Sequence, residues 1–107
     1  MMIRMAEIDV DSKYISEYSA ILKESAETSM RLEKGVIAIF PMFQKENPTQ
    51  IRILEVYLNK ESYEAHLQTL HFKHYKTTTL KMIKSLKLVE MQPIDVETMQ
   101  KMLSKIK

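Results

Sequence analysis

The residues best suited to acid–base chemistry are concentrated in the middle of the chain. All three histidines, His66, His71 and His74, lie there, together with Glu55 and Tyr57 from an otherwise largely apolar segment. An imidazole titrates near neutral pH, so it can accept a substrate proton and return it. A carboxylate among apolar neighbours loses hydration, which raises its pKa and makes it a stronger general base. We therefore expect any reactive site to involve this part of the chain.

Structural roles compete with catalytic ones for the carboxylates. Glu7, Glu55 and Glu90 each lie in a predicted strand beside apolar neighbours. A half-buried carboxylate is stabilised when it pairs with a cation, and Arg4 and Arg52 are available in the same predicted sheet. We expect such pairing, or pairing at a dimer interface, for Glu7 and Glu90. For Glu55 both a paired role and a general-base role stay open.

The histidines have the same two interpretations. His71 lies at the junction of two predicted helices, where it can either move a substrate proton or cap a helix end. His66 fits a structural role, and His74 is expected to face solvent. His71 and His74 are three residues apart and can in principle reach one metal ion. No third ligand of obvious spacing accompanies them and the His-Glu-x-x-His motif is absent, so we expect no metal.

Composition excludes several classes of function. The chain has 107 residues, enough for one domain with a single core. Its 16 basic and 14 acidic residues nearly balance, which argues against a nucleic-acid partner. It has no cysteine, which excludes disulfides and thiolate nucleophiles, and a single glycine, which excludes glycine-rich phosphate loops.

The expected location is cytoplasmic, without a membrane partner. The N-terminus lacks the apolar core of a signal peptide, and the absence of cysteine is compatible with a reducing compartment. The longest apolar run, residues 36–43, is far shorter than the roughly 20 residues that span a bilayer.

Hydrophobic periodicity predicts alternating strands and helices. The predicted strands are Met2–Val10, Val36–Gln44, Ile51–Leu58 and Leu86–Gln92. The predicted helices begin after Asp11 or Ser12, after Asn59, at about Thr69 and at Val96.

Local signals refine these boundaries. Gly35 is expected to end the first helix in a left-handed conformation. Pro41 lacks an amide hydrogen, which indicates an edge strand or a bulge, although the apolar run around it predicts burial on both faces. Residues 45–49 have the composition of a turn. The third helix is expected to reach Ser85, with a kink at the threonines in positions 77–79.

The order of elements is β-α-β-β-α-β followed by a C-terminal helix. It predicts an α+β fold of the ferredoxin-like split βαβ type, a four-stranded antiparallel sheet with helices on one face, forming a single domain over residues 1–107. The strands carry apolar residues on their other face as well, and an exposed apolar face favours association. We therefore expect a two-fold homodimer with the sheets facing each other, in which the tail helix reaches the partner.

Three short segments occur in a specific order and spacing. They are Ser29-x-x-x-Glu33-Lys34-Gly35-Val36, Leu54-Glu55-Val56-Tyr57 and Ala65-His66-Leu67-x-x-Leu70-His71-Phe72. Together they resemble the antibiotic-biosynthesis monooxygenase (ABM) family, which includes quinol monooxygenases, over about residues 2–93. The resemblance implies a ferredoxin-like dimer, described for this family as a dimeric α/β barrel.

The resemblance also implies a chemistry. Characterised oxygenases of the family oxidise a phenolic or quinol-type substrate with O2, without metal, flavin or other cofactor. The deprotonated substrate itself reduces O2, so the protein supplies a dry pocket and a base. Haem-degrading relatives depend on a tryptophan, which this chain lacks.

The expected site lies between the sheet and the long helix. The resemblance supplies five of its residues by motif position, namely Glu55, Tyr57, His66, His71 and Phe72. His71, oriented or assisted by Glu55, is expected to take the phenolic proton. The expected substrate-binding residues are Phe40, Tyr57, His66, Phe72, Tyr75 and Met82. The expected partners are a small aromatic substrate and a second copy of the chain. The alternatives are a non-catalytic dimeric small-molecule-binding protein, in which the polar residues pair only with each other, or an isomerase of the same fold.

Overall fold

A computed structural model describes residues 1–106 of the chain and has the predicted order of elements. The strands are β1 (Met2–Val10), β2 (Val36–Gln44), β3 (Asn47–Tyr57) and β4 (Ile83–Met91). The helices are α1 (Ile15–Leu32), α2 (Lys60–Leu67), α3 (Leu70–Thr79) and α4 (Val96–Ile106). A short 3-10 turn, Ser12–Tyr14, precedes α1, and a second one, Leu80–Met82, follows α3.

The four strands form one antiparallel sheet in the order β2-β3-β1-β4. This is the ferredoxin-like arrangement, because β1 and β3, the two strands that are each followed by a helical crossover, lie at the centre. Alternation along β1 directs Ala6, Ile8 and Val10 to the helical side, where they are buried against α1. The core therefore lies between one face of the sheet and the helices.

The third helix is ten residues long, and the prediction that it reaches Ser85 was wrong. It ends at Thr79, the last of three consecutive threonines, which are poor helix formers. Ile83 pairs with Val10 and Leu86 with Ile8, so antiparallel pairing to β1 overrides the helical spacing of the apolar residues. Strand β4 begins accordingly three residues earlier than predicted.

The prediction that Gly35 ends α1 in a left-handed conformation was also wrong. The helix ends at Leu32, and no glycine among the described residues has a positive φ. The requirement for glycine is steric instead, because a Cβ atom at this position would overlap both Cβ and Oγ of Ser62 in the first turn of α2. Gly35 thus allows α2 to pack directly on the segment that follows α1.

Strand β2 lies at an edge of the sheet, as Pro41 indicates, but it is not buried on both faces. Val36 is its one fully buried residue within the described chain, and Phe40 is 58% exposed. The predicted turn at residues 45–49 is shorter than expected. Strand β3 already begins at Asn47, because Asn47 pairs with Gln44 and leaves a two-residue connection, 45–46.

Apolar side chains are exposed on the second face of the sheet and on α4. The register places Phe40 beside Leu54 on this second face, and Met91 beside Ile3. Met91 is 45% exposed. Helix α4 is amphipathic, yet Met102 and Ile106 on its apolar side are largely exposed. Among the described residues, no helix is both long and apolar enough to cross a membrane.

Candidate active site

A cavity of about 320 Å³ lies between the helical face of the sheet and helices α2 and α3. This volume is at the lower end of the range for small-molecule sites. Its apolar lining consists of Ala6, Ile8, Ile53, Leu67, Phe72, Leu80, Ile83, Leu86 and Leu88. Its polar lining consists of Arg4, Glu55, Tyr63, His66, Tyr75, Lys76 and Thr79. The mixture suits a compact aromatic ligand with a small number of polar groups.

Glu55 is the carboxylate that β3 presents to this cavity. Tyr57 donates a hydrogen bond from its hydroxyl to Glu55 Oε1 at 2.6 Å, and the other oxygen has no such partner within residues 1–106. Burial raises the pKa of Glu55, and the Tyr57 hydrogen bond and the charges of His66 and Arg4 only partly offset that effect. The result is a carboxyl group with an elevated pKa and one oxygen free to accept a proton.

Arg4 stands next to Glu55 in the sheet and orders one end of the cavity. The register pairs Arg4 with Glu55 on one side and with Glu90 on the other. Its guanidinium donates to the Tyr63 hydroxyl at 2.7 Å and to Glu90 at 3.0 Å, and it lies 4.5 Å from the centre of the Tyr63 ring. The Arg4 side chain is largely buried, so its positive charge is held close to any ligand in the cavity.

The carboxylate pairings expected from the sequence are present for Glu90 and Glu7. Glu90 accepts from Arg4, and Glu7 lies 3.9 Å from Arg52 on the opposite face of the sheet. Neither carboxylate lines the cavity. Glu55 is thus the carboxylate of the described chain that faces the cavity.

A second polar cluster lies directly behind His66. Glu33, the residue after α1, accepts from His66 Nδ1 at 2.9 Å and from His71 Nε2 at 2.7 Å through the same oxygen. Burial alone would raise the pKa of Glu33, but the two histidine hydrogen bonds outweigh it and the pKa is lowered. Glu33 is therefore an ionised acceptor, and the ring nitrogens that face it carry the hydrogens.

The junction between α2 and α3 fixes the positions of both histidines. The carbonyl oxygen of His66 accepts from the Thr69 hydroxyl at 2.8 Å and from the Thr69 amide at 3.2 Å. The same hydroxyl caps α3 by accepting from the Phe72 amide. His71 therefore enters α3 one residue after its start, beside Glu33 rather than beside Glu55.

The residues predicted for the site divide into two groups. Glu55, His66, Phe72 and Tyr75 line the cavity, and Tyr75 is held there by a 2.6 Å hydrogen bond between its hydroxyl and that of Tyr18. His71 does not line the cavity, and the expected contact with Glu55 is replaced by the one with Glu33.

The other three predicted wall residues lie elsewhere. Phe40 is on the opposite face of the sheet, because β2 pairs with β3 in a register that places it beside Leu54. Met82 is fully buried in the core. Tyr57 is also fully buried and reaches the site only through its hydrogen bond to Glu55.

Sequence reasoning did not identify Arg4, Tyr63 or Glu33 as site residues. Arg4 was considered only as a partner for carboxylates, and no sequence pattern assigned Tyr63 to the site. Glu33 precedes His66 by 33 positions, so no local pattern joins them. Its place in the first of the three family-like segments was the one signal that pointed to it.

Comparisons with known proteins agree with this architecture. The family model described as "Antibiotic biosynthesis monooxygenase" matches residues 1–78. A crystal structure from Bacteroides thetaiotaomicron, of a protein described as a candidate antibiotic biosynthesis monooxygenase, is 41% identical. The match has a TM-score of 0.87 and covers 88% of this chain and 90% of that one.

Two further structures are similar. A candidate monooxygenase from Lactobacillus acidophilus is 29% identical, with a TM-score of 0.81, and the match covers 83% of this chain but 42% of that one. A candidate antibiotic biosynthesis monooxygenase from Nitrosomonas europaea is 19% identical. That match has a TM-score of 0.84 and covers 89% of this chain and 100% of that one. At this identity the similarity shows a shared fold only. No curated protein matches. The family model and the 41% identical structure together show that this chain belongs to the antibiotic biosynthesis monooxygenase family.

Proposed function

We propose that this protein is a cofactor-independent monooxygenase that oxidises a small phenolic or quinol-type substrate with O2 in the cavity beside Glu55. Membership of the family supports the reaction class. The observation that carries the proposal is the carboxyl group of Glu55, which combines burial, a raised pKa and a free oxygen in an otherwise largely apolar cavity. These are the properties expected of a base that must act on a weakly acidic hydroxyl.

In the proposed reaction Glu55 accepts the proton of the substrate hydroxyl. The resulting anion is electron-rich and transfers an electron to O2, after which the two radicals combine. For an anthrone-type substrate the methylene group becomes a carbonyl with one oxygen atom of O2, and the second oxygen atom leaves as water. Arg4 lies beside Glu55 in the sheet and stabilises the substrate anion electrostatically. The apolar lining excludes water that would compete for the anion.

His71 has a positioning role in this proposal. It bonds Glu33, and Glu33 bonds His66, which lines the cavity. The Glu33 carboxylate holds the His66 ring in one tautomer and one orientation, and His71 fixes that carboxylate. Because His71 acts through two other residues, its removal is expected to cost less activity than removal of Glu55.

Oxygen consumption tests the proposed activity. Protein treated with chelator is mixed with a panel of quinols and anthrone-type phenols, and each rate is compared with autoxidation of the substrate alone. We expect protein-dependent uptake that survives the chelator, with incorporation of one atom from 18O2 into the product. If no substrate of the panel is consumed above background while phenols still raise the melting temperature, the cavity is a binding site rather than an oxygenase site.

We also propose that the protein functions as a homodimer formed through the second face of its sheet. The support is the row of exposed apolar residues on that face, among them Phe40 and Met91, and the exposed apolar side of α4. Light scattering coupled to gel filtration is expected to give twice the chain mass of 12.6 kDa at micromolar concentration. Phe40→Glu should shift the protein to monomer, whereas the control Lys45→Glu in the β2–β3 turn should not. A wild-type monomer would refute this assembly.

A further inference from the structure

We infer that Glu33, His66 and His71 form a binding site for a divalent transition-metal ion such as Zn²⁺. Each residue offers one ligand atom, namely a carboxylate oxygen, His66 Nδ1 and His71 Nε2, and these atoms all lie within 4.8 Å of one another. Two imidazoles and one carboxylate are a donor set that suits Zn²⁺ and other first-row divalent ions.

The spacing of the three donors is close to that of a coordination sphere. Ligand atoms at about 2.1 Å from one ion are separated by roughly 3.0–3.4 Å in octahedral or tetrahedral geometry. The nitrogen–oxygen distances to Glu33 are 2.9 and 3.2 Å for His66 and 2.7 Å for His71. The two distances to the Glu33 oxygen therefore need to lengthen by only a few tenths of an ångström, whereas the two imidazole nitrogens, which lie within 4.8 Å of each other, must reach a similar separation through side-chain rotation.

The backbone arrangement makes the site well ordered before an ion enters. The three ligands come from the end of α1, from α2 and from the first turn of α3, so the donor set is built from three separate helices. The backbone around Glu33 is fixed by two hydrogen bonds, from its amide to Ser29 and from the Val36 amide to its carbonyl. A preorganised donor set keeps more of its binding free energy.

A nearby hydroxyl group is placed to support a ligating carboxylate. Ser29 is fully buried one helical turn before Glu33, and its hydroxyl is close enough to the Glu33 carboxylate to contribute to the lowered pKa of Glu33. Hydroxyl groups that bond a ligating carboxylate are a usual feature of metal sites.

The ion would not take part in the proposed oxygenation directly. Neither Glu33 nor His71 lines the cavity. The ion therefore lies behind His66, outside the cavity that the proposed substrate occupies. Its binding still has a consequence there, because a metal on His66 Nδ1 forces the ring hydrogen onto Nε2. The remaining nitrogen of His66 thereby changes from a hydrogen-bond acceptor to a donor.

Co²⁺ and Zn²⁺ titrations of chelator-treated protein test the site. We expect one Co²⁺ per chain with a visible d–d absorption band, displacement of that band by Zn²⁺, and a higher melting temperature with Zn²⁺. Glu33→Gln keeps a hydrogen-bond acceptor for both histidines but is a poor ligand, so it should weaken binding at least about 10-fold without loss of the fold. His74→Ala, which removes an exposed histidine three residues from His71, is the matched control and should bind as the wild type does.

Two results would overturn the inference. One is the absence of a stoichiometric Co²⁺ band in the wild type. The other is equal affinity in the wild type and in Glu33→Gln, which would assign the metal to surface groups. If Glu33→Gln is unfolded by circular dichroism, His71→Asn serves in its place, because it removes one ligand from a partly exposed position. Each readout is independent of oxygenase activity.

Discussion

Replacing Glu55 with glutamine is expected to lower kcat for the best substrate of the quinol panel at least about 100-fold. Glutamine has nearly the same shape and still accepts the Tyr57 hydrogen bond, so the cavity is preserved. It cannot accept the substrate proton, however, and the substrate anion no longer forms at an adequate rate. Initial rates of oxygen uptake under saturating substrate measure the effect.

The matched control for Glu55→Gln is Glu7→Gln. Glu7 lies in the neighbouring strand, on the opposite face of the sheet, and its partner is Arg52. This substitution should leave kcat within about two-fold of the wild type, because Glu7 does not line the cavity. It should also leave the fold intact, because surface ion pairs contribute little to stability. Equal activity of wild type and Glu55→Gln would remove Glu55 from the mechanism and leave the reaction to another residue of the cavity.

Glu55→Gln is also expected to stabilise the folded protein at alkaline pH. Burial raises the pKa of Glu55, so the folded protein binds this proton more tightly than the unfolded chain does. Wild-type stability therefore falls as pH rises through the raised pKa, whereas glutamine does not titrate. Melting temperatures measured from pH 5 upwards should show an advantage of the variant that grows as pH rises through the raised pKa, reaches a few degrees and stays constant above it. A difference independent of pH would contradict this account.

Gly35→Ala is expected to have the largest effect on stability, about 2–3 kcal/mol or more. A Cβ atom at position 35 would overlap both Cβ and Oγ of Ser62, so α2 would have to move away from the segment after α1. That movement would also separate His66 on α2 from Glu33. Chemical denaturation should give a lower midpoint with an unchanged m-value.

A second substitution distinguishes this steric clash from a loss of backbone freedom. In the Gly35→Ala background, Ser62→Ala should recover little, because its Cβ atom still obstructs the alanine at position 35. Ser62→Gly removes both obstructing atoms and should restore part of the lost free energy of unfolding. The recovery stays incomplete, because glycine within a helix itself costs about 1 kcal/mol. If Ser62→Ala rescues as well as Ser62→Gly, the Oγ atom alone is responsible.

The fold was predictable because its signals are periodic. Alternation placed β1 and β2 at their observed bounds, and helical spacing placed the start of α4 at Val96. Asn59 caps α2 as predicted, by accepting from the Ser62 amide. The failures lie where tertiary pairing competes with local preference. The segment after Thr79 has helical spacing, but the hydrogen bonds it forms with β1 make it a strand.

The candidate site was predictable only in part, because sequence reveals residue types but not which side chains meet. Of the residues predicted for the site, Glu55 and His66 lie in the lining of the cavity. The partner of His71 was not, since Glu33 is brought to it by the packing of Gly35 on α2. Arg4 reaches the cavity because β1 is central and alternation directs this residue towards the helices.

The position of Pro41 in the outer strand β2 has a consequence for solubility. The two outer strands of the sheet, β2 and β4, each have one side with no neighbouring strand among residues 1–106. Such an edge can recruit another chain into an intermolecular sheet. Proline removes an amide donor from β2, and Lys84 and Lys87 place charges along β4. Both edges are therefore expected to disfavour the strand-by-strand addition of other chains that builds fibrous aggregates.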